Sequence, residues 1–278
     1  MLPTQSYLIC STPRTGSSLL CDALTATGLA GRPEEYFQFR ARTGFPRRPH
    51  EYFEGAQDAE IFDILGPRTR VEEDESRYDP SRFERYDQYL DWALEEGTTR
   101  NGVFGAKVMW GYFNGFVTGL RWAVAGRQRL AVCDLAPSVF PSLRYLSVTR
   151  RDKVRQAVSL WRALQTWSWS SEQNAAESAG GHLVYSHAAI AHLIRDIEGH
   201  EYEWRAYFRE AEVEPLTIVY EDFVRSYEQT LREILRYLEV PEAETVEIVQ
   251  PRRGRQSDDL SRQWADRYRA ESGRLTAA

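Results

Sequence analysis

Two short stretches of the chain carry residues of the type and spacing that bind anions. The first is the run Ser-Thr-Pro-Arg-Thr-Gly-Ser-Ser over residues 11–18, placed between an apolar run and a helical pattern. A helix that starts there leaves backbone N–H groups unpaired and carries partial positive charge, which suits a phosphate. Arg14, Thr15, Ser17 and Ser18 add donors, and Gly16 lets the backbone come close to the anion. GxxxxGK[ST] is absent and no lysine stands in the loop, which argues against an ATP or GTP hydrolase. The loop fits a nucleotide whose 5′ end carries a phosphate that needs no magnesium. The second stretch follows another apolar run. Arg150 stands at the carboxyl end of a predicted strand, where ligands of open α/β sheets bind, and Ser159 lies nine residues on in the next helix. Together they offer a second phosphate site. A third signal is compositional. Of 35 basic residues only Lys107 and Lys153 are lysines, and Lys107 ends a buried run, where a compact charge is wanted. Lys153 is expected at the surface.

Elements are needed to hold these groups in place. Apolar runs at 7–10, 103–108, 144–149 and 216–220 predict four buried strands. Helical periodicity covers 18–27, 152–167, 187–212 and 226–238. Strands alternating with helices predict an α/β fold with a central, mainly parallel sheet and right-handed crossovers. Residues 40–100 are less regular and rich in Arg, Glu, Asp and Pro, which suggests an insertion or lid within one domain spanning 1–278. Residues 251–259 form a basic, polar loop before a terminal helix that contains tryptophan.

Composition narrows the function classes. The net charge is −6, so a general nucleic-acid surface is not expected. No apolar run approaches the length of a membrane span. Cys10, Cys21 and Cys133 are odd in number and without paired spacing, so they are expected as small buried hydrophobes. The five histidines show no metal-ligand spacing, and no metal is expected. The opening ten residues lack a basic segment followed by a long apolar stretch, which predicts a cytoplasmic protein.

The two phosphate elements resemble those of sulfotransferases that use 3′-phosphoadenylyl sulfate (PAPS), and in particular the Stf0 family. The similarity runs through PRTGSSLL, ATGLAGRPEEYFQ, NGVFGAKVMW, RRDKVRQAVSLWRALQT, AIAH, RQSD and WADRYR, and so spans almost the whole chain. It implies the P-loop-like sulfotransferase fold and a PAPS-dependent O-sulfotransferase acting on a small carbohydrate, trehalose at its 2-position being the first expectation. It places Arg14, Thr15, Gly16, Ser17 and Ser18 around the 5′-phosphosulfate, and Arg150 and Ser159 on the 3′-phosphate. Arg255 and Gln256 would close over the nucleotide. The family's base, a glutamate, falls on Glu35, with Glu34 left as a surface residue. A carboxylate is wanted because a sugar hydroxyl becomes a good nucleophile only as its proton is removed. By analogy with other sulfotransferases, Lys107 would neutralise the bridging oxygen of the leaving nucleotide.

The sequence also departs from family members that sulfate trehalose. Pro13 stands where they carry Gln, and Arg32 where they carry an acidic residue. Both positions belong to the acceptor side, while Gln38 and Glu51 match and would bind hydroxyls. Another glycoside, a glycosylated natural product or an acceptor already carrying an anion stays open. So do a small-molecule kinase and a non-catalytic nucleotide-binding protein. The resemblance further implies a homodimer, for which Trp161, Trp167, Trp169 and the long helix after them are the candidate surface.

Overall fold

The structure, a computed structural model, describes residues 2–66, 79–123, 126–166, 183–249 and 259–275. Arg255, Gln256, Trp167 and Trp169 lie outside the described residues. In chain order the strands are β1 (Gln5–Ser11), β2 (Val103–Met109), β3 (Leu143–Thr149) and β4 (Leu216–Val219). The helices are α1 (Ser17–Ala26), α2 (Ala59–Leu65), α3 (Tyr86–Gly97), α4 (Phe113–Ala123), α5 (Val132–Val139), α6 (Lys153–Thr166), α7 (His187–Glu210), α8 (Tyr220–Arg225), α9 (Tyr227–Tyr237) and α10 (Asp259–Leu275).

The strands form one sheet in the order β2-β1-β3-β4, and every pairing is parallel. β1 is central and buried from Ser6 to Ser11, which is why it reads as a continuous apolar run rather than an alternating one. Register then decides which face each side chain meets, because directly paired residues of a parallel ladder share a face. Ile9 pairs with Lys107 on one side and with Leu146 on the other. Lys107 therefore projects to the face that carries Ile9 and Leu146.

The chain divides into two compact units. The first comprises residues 1–46, 75–151 and 200–251 and holds the whole sheet. On one face Tyr7, Ile9, Val103, Leu146 and Ile218 pack with Leu20 and Leu24 of α1 and with Leu231, Ile234 and Leu235 of α9. Each of these α9 side chains is fully buried and contributes roughly 1.5–3 kcal/mol. On the other face Leu8, Phe104 and Val108 pack with Tyr89 and Leu90 of α3, Phe116 and Leu120 of α4, and Trp204 and Phe208 of α7. The second unit comprises 47–74, 152–199 and 252–278. Its core is built from Val158, Trp161 and Leu164 of α6, Ile190 and Leu193 of α7, and Trp264 of α10.

The four predicted strands and the helices α1, α6, α7 and α9 match the sequence expectations to within a few residues. The region expected to be least regular departs from its expectation: α3 is a well-formed helix that buries Tyr89, Leu90, Ala93 and Leu94. Its charges sit on the opposite side and hide that apolar stripe in the composition. Cys10 and Cys21 are free thiols inside the first unit, and Cys133 is half-buried. Among the described residues no helix is long and apolar enough to cross a membrane.

Candidate active site

The loop after β1 is shaped by two residues in left-handed backbone conformations, Arg14 at φ 64° and Gly16 at φ 83°. Gly16 caps the amino end of α1, and no side chain supplies a capping hydrogen bond there. The first amides of α1 are thus available to an anion. Thr15 is buried, and its hydroxyl donates to the Thr12 carbonyl at 3.1 Å, so this side chain fixes the turn. Ser17 is buried and Ser18 exposed. The glycine has a second reason beyond close approach of an anion: a Cβ on Gly16 would lie 2.3 Å from the ring of Tyr220, the first residue of α8. The loop after β1 and the end of β4 are interlocked there.

Arg150 joins the same assembly from the end of β3. Its Nη1 donates to the Arg14 carbonyl at 3.3 Å, and its guanidinium lies 4.8 Å from the centre of the Tyr220 ring. Glu221 sets the angle, with Oε1 3.9 Å from Arg150 Nε and Oε2 accepting the Arg151 amide at 3.0 Å. No motif in the sequence singles out Tyr220 or Glu221. The signal available was their place at the carboxyl end of β4, next to the strands that end at the two anion elements.

A further segment delivers Glu35. Residues 31–35 run beside β2, joined by a parallel bridge between Glu34 and Ala106, and the Lys107 amide donates to the Glu34 carbonyl at 2.9 Å. With Glu34 opposite Ala106, the next residue shares the face of Lys107. Glu35 Oε1 accordingly pairs with Lys107 Nζ at 2.5 Å, whereas the Glu34 side chain is exposed. Lys107 also donates to Ser18 Oγ at 3.0 Å. Burial is the largest single influence and pulls the ammonium down, but Glu35, Cys21 and Glu34 together outweigh it and hold Lys107 above the ordinary lysine range. Burial pushes the neighbouring Cys21 thiol up to about 12, so it stays protonated. Glu35 Oε2 is buried and has no hydrogen-bond partner.

Close backbone approach makes this placement possible. Gly31 has φ 69°, and a Cβ there would lie 2.6 Å from the Gly105 nitrogen and 2.9 Å from the Gly97 carbonyl oxygen. Gly31→Ala is expected to lower stability by about 3 kcal/mol, by strain and overpacking against backbone that cannot yield. Urea unfolding would measure it, and a loss below about 1 kcal/mol would show that the segment relocates freely.

The remaining expected residues are divided between the units. Pro13 is buried in the first unit. Arg32 is exposed and donates to the Glu96 carbonyl at 3.2 Å, near the carboxyl end of α3. Gln38 is half-buried, its main-chain N–H donating to the Glu35 carbonyl at 3.2 Å. Ser159, half-buried on α6, and Glu51 belong to the second unit. One oxygen of Glu51 accepts the Arg48 amide at 2.8 Å and caps the short helix Pro49–Phe53. The first unit alone thus brings together the loop after β1, Arg150, Lys107 and Glu35. Among the described residues no group of three or more His, Cys, Asp or Glu is placed to hold a metal ion.

The model of the Stf0 sulphotransferase family matches residues 6–271. The chain belongs to the Stf0 sulfotransferase family. A trehalose 2-sulfotransferase of Mycobacterium tuberculosis (strain ATCC 35801 / TMC 107 / Erdman) is 33% identical over 278 residues, covering 97% of this chain and 96% of that protein. One of Mycolicibacterium smegmatis (strain ATCC 700084 / mc(2)155) is 32% identical over 271 residues, with the same two shares. The sulfotransferase domain from the curacin biosynthetic pathway shares the fold of this sulfotransferase, with a TM-score of 0.50 at 14% identity over 94% of this chain and 83% of that one.

Proposed function

We propose that this Stf0 sulfotransferase moves the sulfonate of PAPS to a hydroxyl of a small carbohydrate. The observation that carries the proposal is the Glu35 carboxylate, with one oxygen held by Lys107 and the other buried without a hydrogen-bond partner. Such an oxygen is a ready proton acceptor beside a helix terminus suited to phosphate. The uncapped amino end of α1, the left-handed Gly16 and the adjoining Arg150 fit a nucleotide with phosphates at both its 5′ and 3′ positions.

PAPS supplies an activated sulfonate on a phosphate leaving group. Glu35 takes the proton of the attacking hydroxyl at Oε2. The α1 amides, Arg14 and Lys107 stabilise negative charge that builds on the departing phosphate. Arg150 holds the 3′-phosphate. Ser159, Arg255 and Gln256 are assigned to the same nucleotide by family resemblance.

The two trehalose 2-sulfotransferase relatives make the 2-hydroxyl of trehalose the first acceptor to test. The exposed guanidinium of Arg32 favours a second acceptor class, a glycoside that already bears an anion. Labelled donor incubated with trehalose, neutral glycosides and anionic glycosides decides between them. Adenosine 3′,5′-bisphosphate is expected to bind at least about tenfold more tightly than ATP and without magnesium. A preference for ATP with magnesium would overturn the assignment in favour of a kinase.

A further inference from the structure

The segment that carries Glu35 is held from inside the sheet as well as along its edge. Tyr7 of β1 pairs with Gly105 of β2, two residues before the Ile9–Lys107 pair and on the same face. A Cβ on Gly105 would come within 2.5 Å of the Tyr7 hydroxyl oxygen, so the absent side chain is what lets the phenol cross β2. On the far side that hydroxyl donates to the Ala30 carbonyl at 2.5 Å. Tyr7 and Ala30 are both 0% exposed. Burial above all, with Cys21 and Tyr36 adding to it, pushes the hydroxyl well above the ordinary tyrosine range, so it stays a donor.

The main chain on either side of Ala30 is held too. Asn101 Nδ2 donates to the Leu29 carbonyl at 2.7 Å, the Gly31 amide to Thr99 Oγ1 at 3.1 Å, and the Arg32 amide to the Gly97 carbonyl at 2.9 Å. Those three partners stand at the end of α3 and in the turn before β2. Of the groups that grip residues 29–32 here, Tyr7 is the one from β1, the strand that runs into the loop bearing Arg14 and Gly16.

We propose that Tyr7 is a positioning residue for Glu35: reaching through the gap at Gly105, it fixes Ala30 and so sets where the carboxylate stands relative to the loop after β1. The proposal rests on the functional reading above, in which Glu35 is the base. Between the two points the chain has little slack. Gly31 is pressed against the backbone of Gly105 and Gly97, and Pro33 fixes its own φ and keeps Arg32 extended. A shift at Ala30 therefore passes on to residue 35. A base must stand within hydrogen-bond reach of the proton it takes, and a displacement of about 1 Å costs up to about 100-fold in rate.

Tyr7→Phe removes the hydroxyl alone and deprives a buried carbonyl of this donor. Amide hydrogen exchange at Gly31 and Arg32 is expected to rise about tenfold, while exchange along β3 stays within about twofold. With the glycoside that the unsubstituted protein sulfates, kcat is expected to fall about tenfold, and the Kd for adenosine 3′,5′-bisphosphate to stay within about twofold. Tyr237→Phe is the matched control. Its hydroxyl donates to the Tyr145 carbonyl at 3.3 Å, away from this segment, and exchange at Gly31 and Arg32 and kcat should each change less than about twofold. Unmoved exchange at Gly31 and Arg32, an equal rise along β3, or full turnover in Tyr7→Phe overturns the proposal and leaves the sulfotransferase reading standing. Raised exchange at Gly31 and Arg32 in a protein whose Glu35→Gln variant keeps its turnover overturns the assignment of the base, and the role of Tyr7 with it.

Discussion

Glu35→Gln is expected to lower sulfonate transfer about a thousand-fold while leaving the affinity for adenosine 3′,5′-bisphosphate within about twofold. The amide has the size and shape of the carboxylate but accepts no proton at the required strength. General bases contribute typically 10²- to 10⁴-fold, which sets the scale. The backbone holding residue 35 is fixed by the Glu34–Ala106 bridge, so the substitution leaves the segment in place. Glu34→Gln is the matched control. Its side chain is exposed, and transfer is expected to change less than about twofold. Labelled transfer and titration calorimetry on both variants read the two quantities separately. Turnover above about a tenth in Glu35→Gln, or a larger loss in Glu34→Gln, would move the base elsewhere.

Arg150→Ala is expected to weaken binding of adenosine 3′,5′-bisphosphate by about 2–4 kcal/mol, roughly 30- to 700-fold in Kd. The guanidinium is held by a carbonyl, an aromatic ring and a carboxylate together, so it is pre-aimed and forfeits little side-chain entropy on binding. Arg150→Lys keeps the charge but loses the planar fork and the stacking, and is expected to recover only part of the affinity. Adenosine 5′-phosphate, which lacks the 3′-phosphate, provides the internal control. Its affinity should be nearly the same with and without Arg150. An equal loss for both nucleotides would show that Arg150 acts by supporting the loop at Arg14, not by meeting a phosphate.

Much of this architecture was legible in the sequence because β1, β2 and β3 are buried on both faces. Their apolar runs stand out against polar flanks, and the loop after β1 declares itself by Gly16 and its neighbouring hydroxyls. α4 and α5 were hidden for physical reasons. α4 contains Gly115 and Gly119, poor helix formers, yet the Phe39 backbone and the Tyr86 ring occupy the space their side chains would need. α5 carries Pro137 inside the helix. The proposal of Glu35 over Glu34 came from family resemblance; that Glu35 and not Glu34 faces Lys107 follows from strand register, a pairing between segments about 70 residues apart that no local pattern encodes. Tyr220 was missed for a similar reason. Its importance lies in what its ring excludes at Gly16, and a single sequence records the glycine without the partner that demands it.

The segment over residues 31–35 is held to β2 by main-chain atoms, and the side chains of Arg32 and Glu34 point outward. An attachment made by the backbone is indifferent to what those outward positions carry. Diversification at 32 can therefore proceed without displacing the carboxylate at 35, and a directed library at that proposed acceptor-side position would explore new acceptors on an unchanged chemical engine.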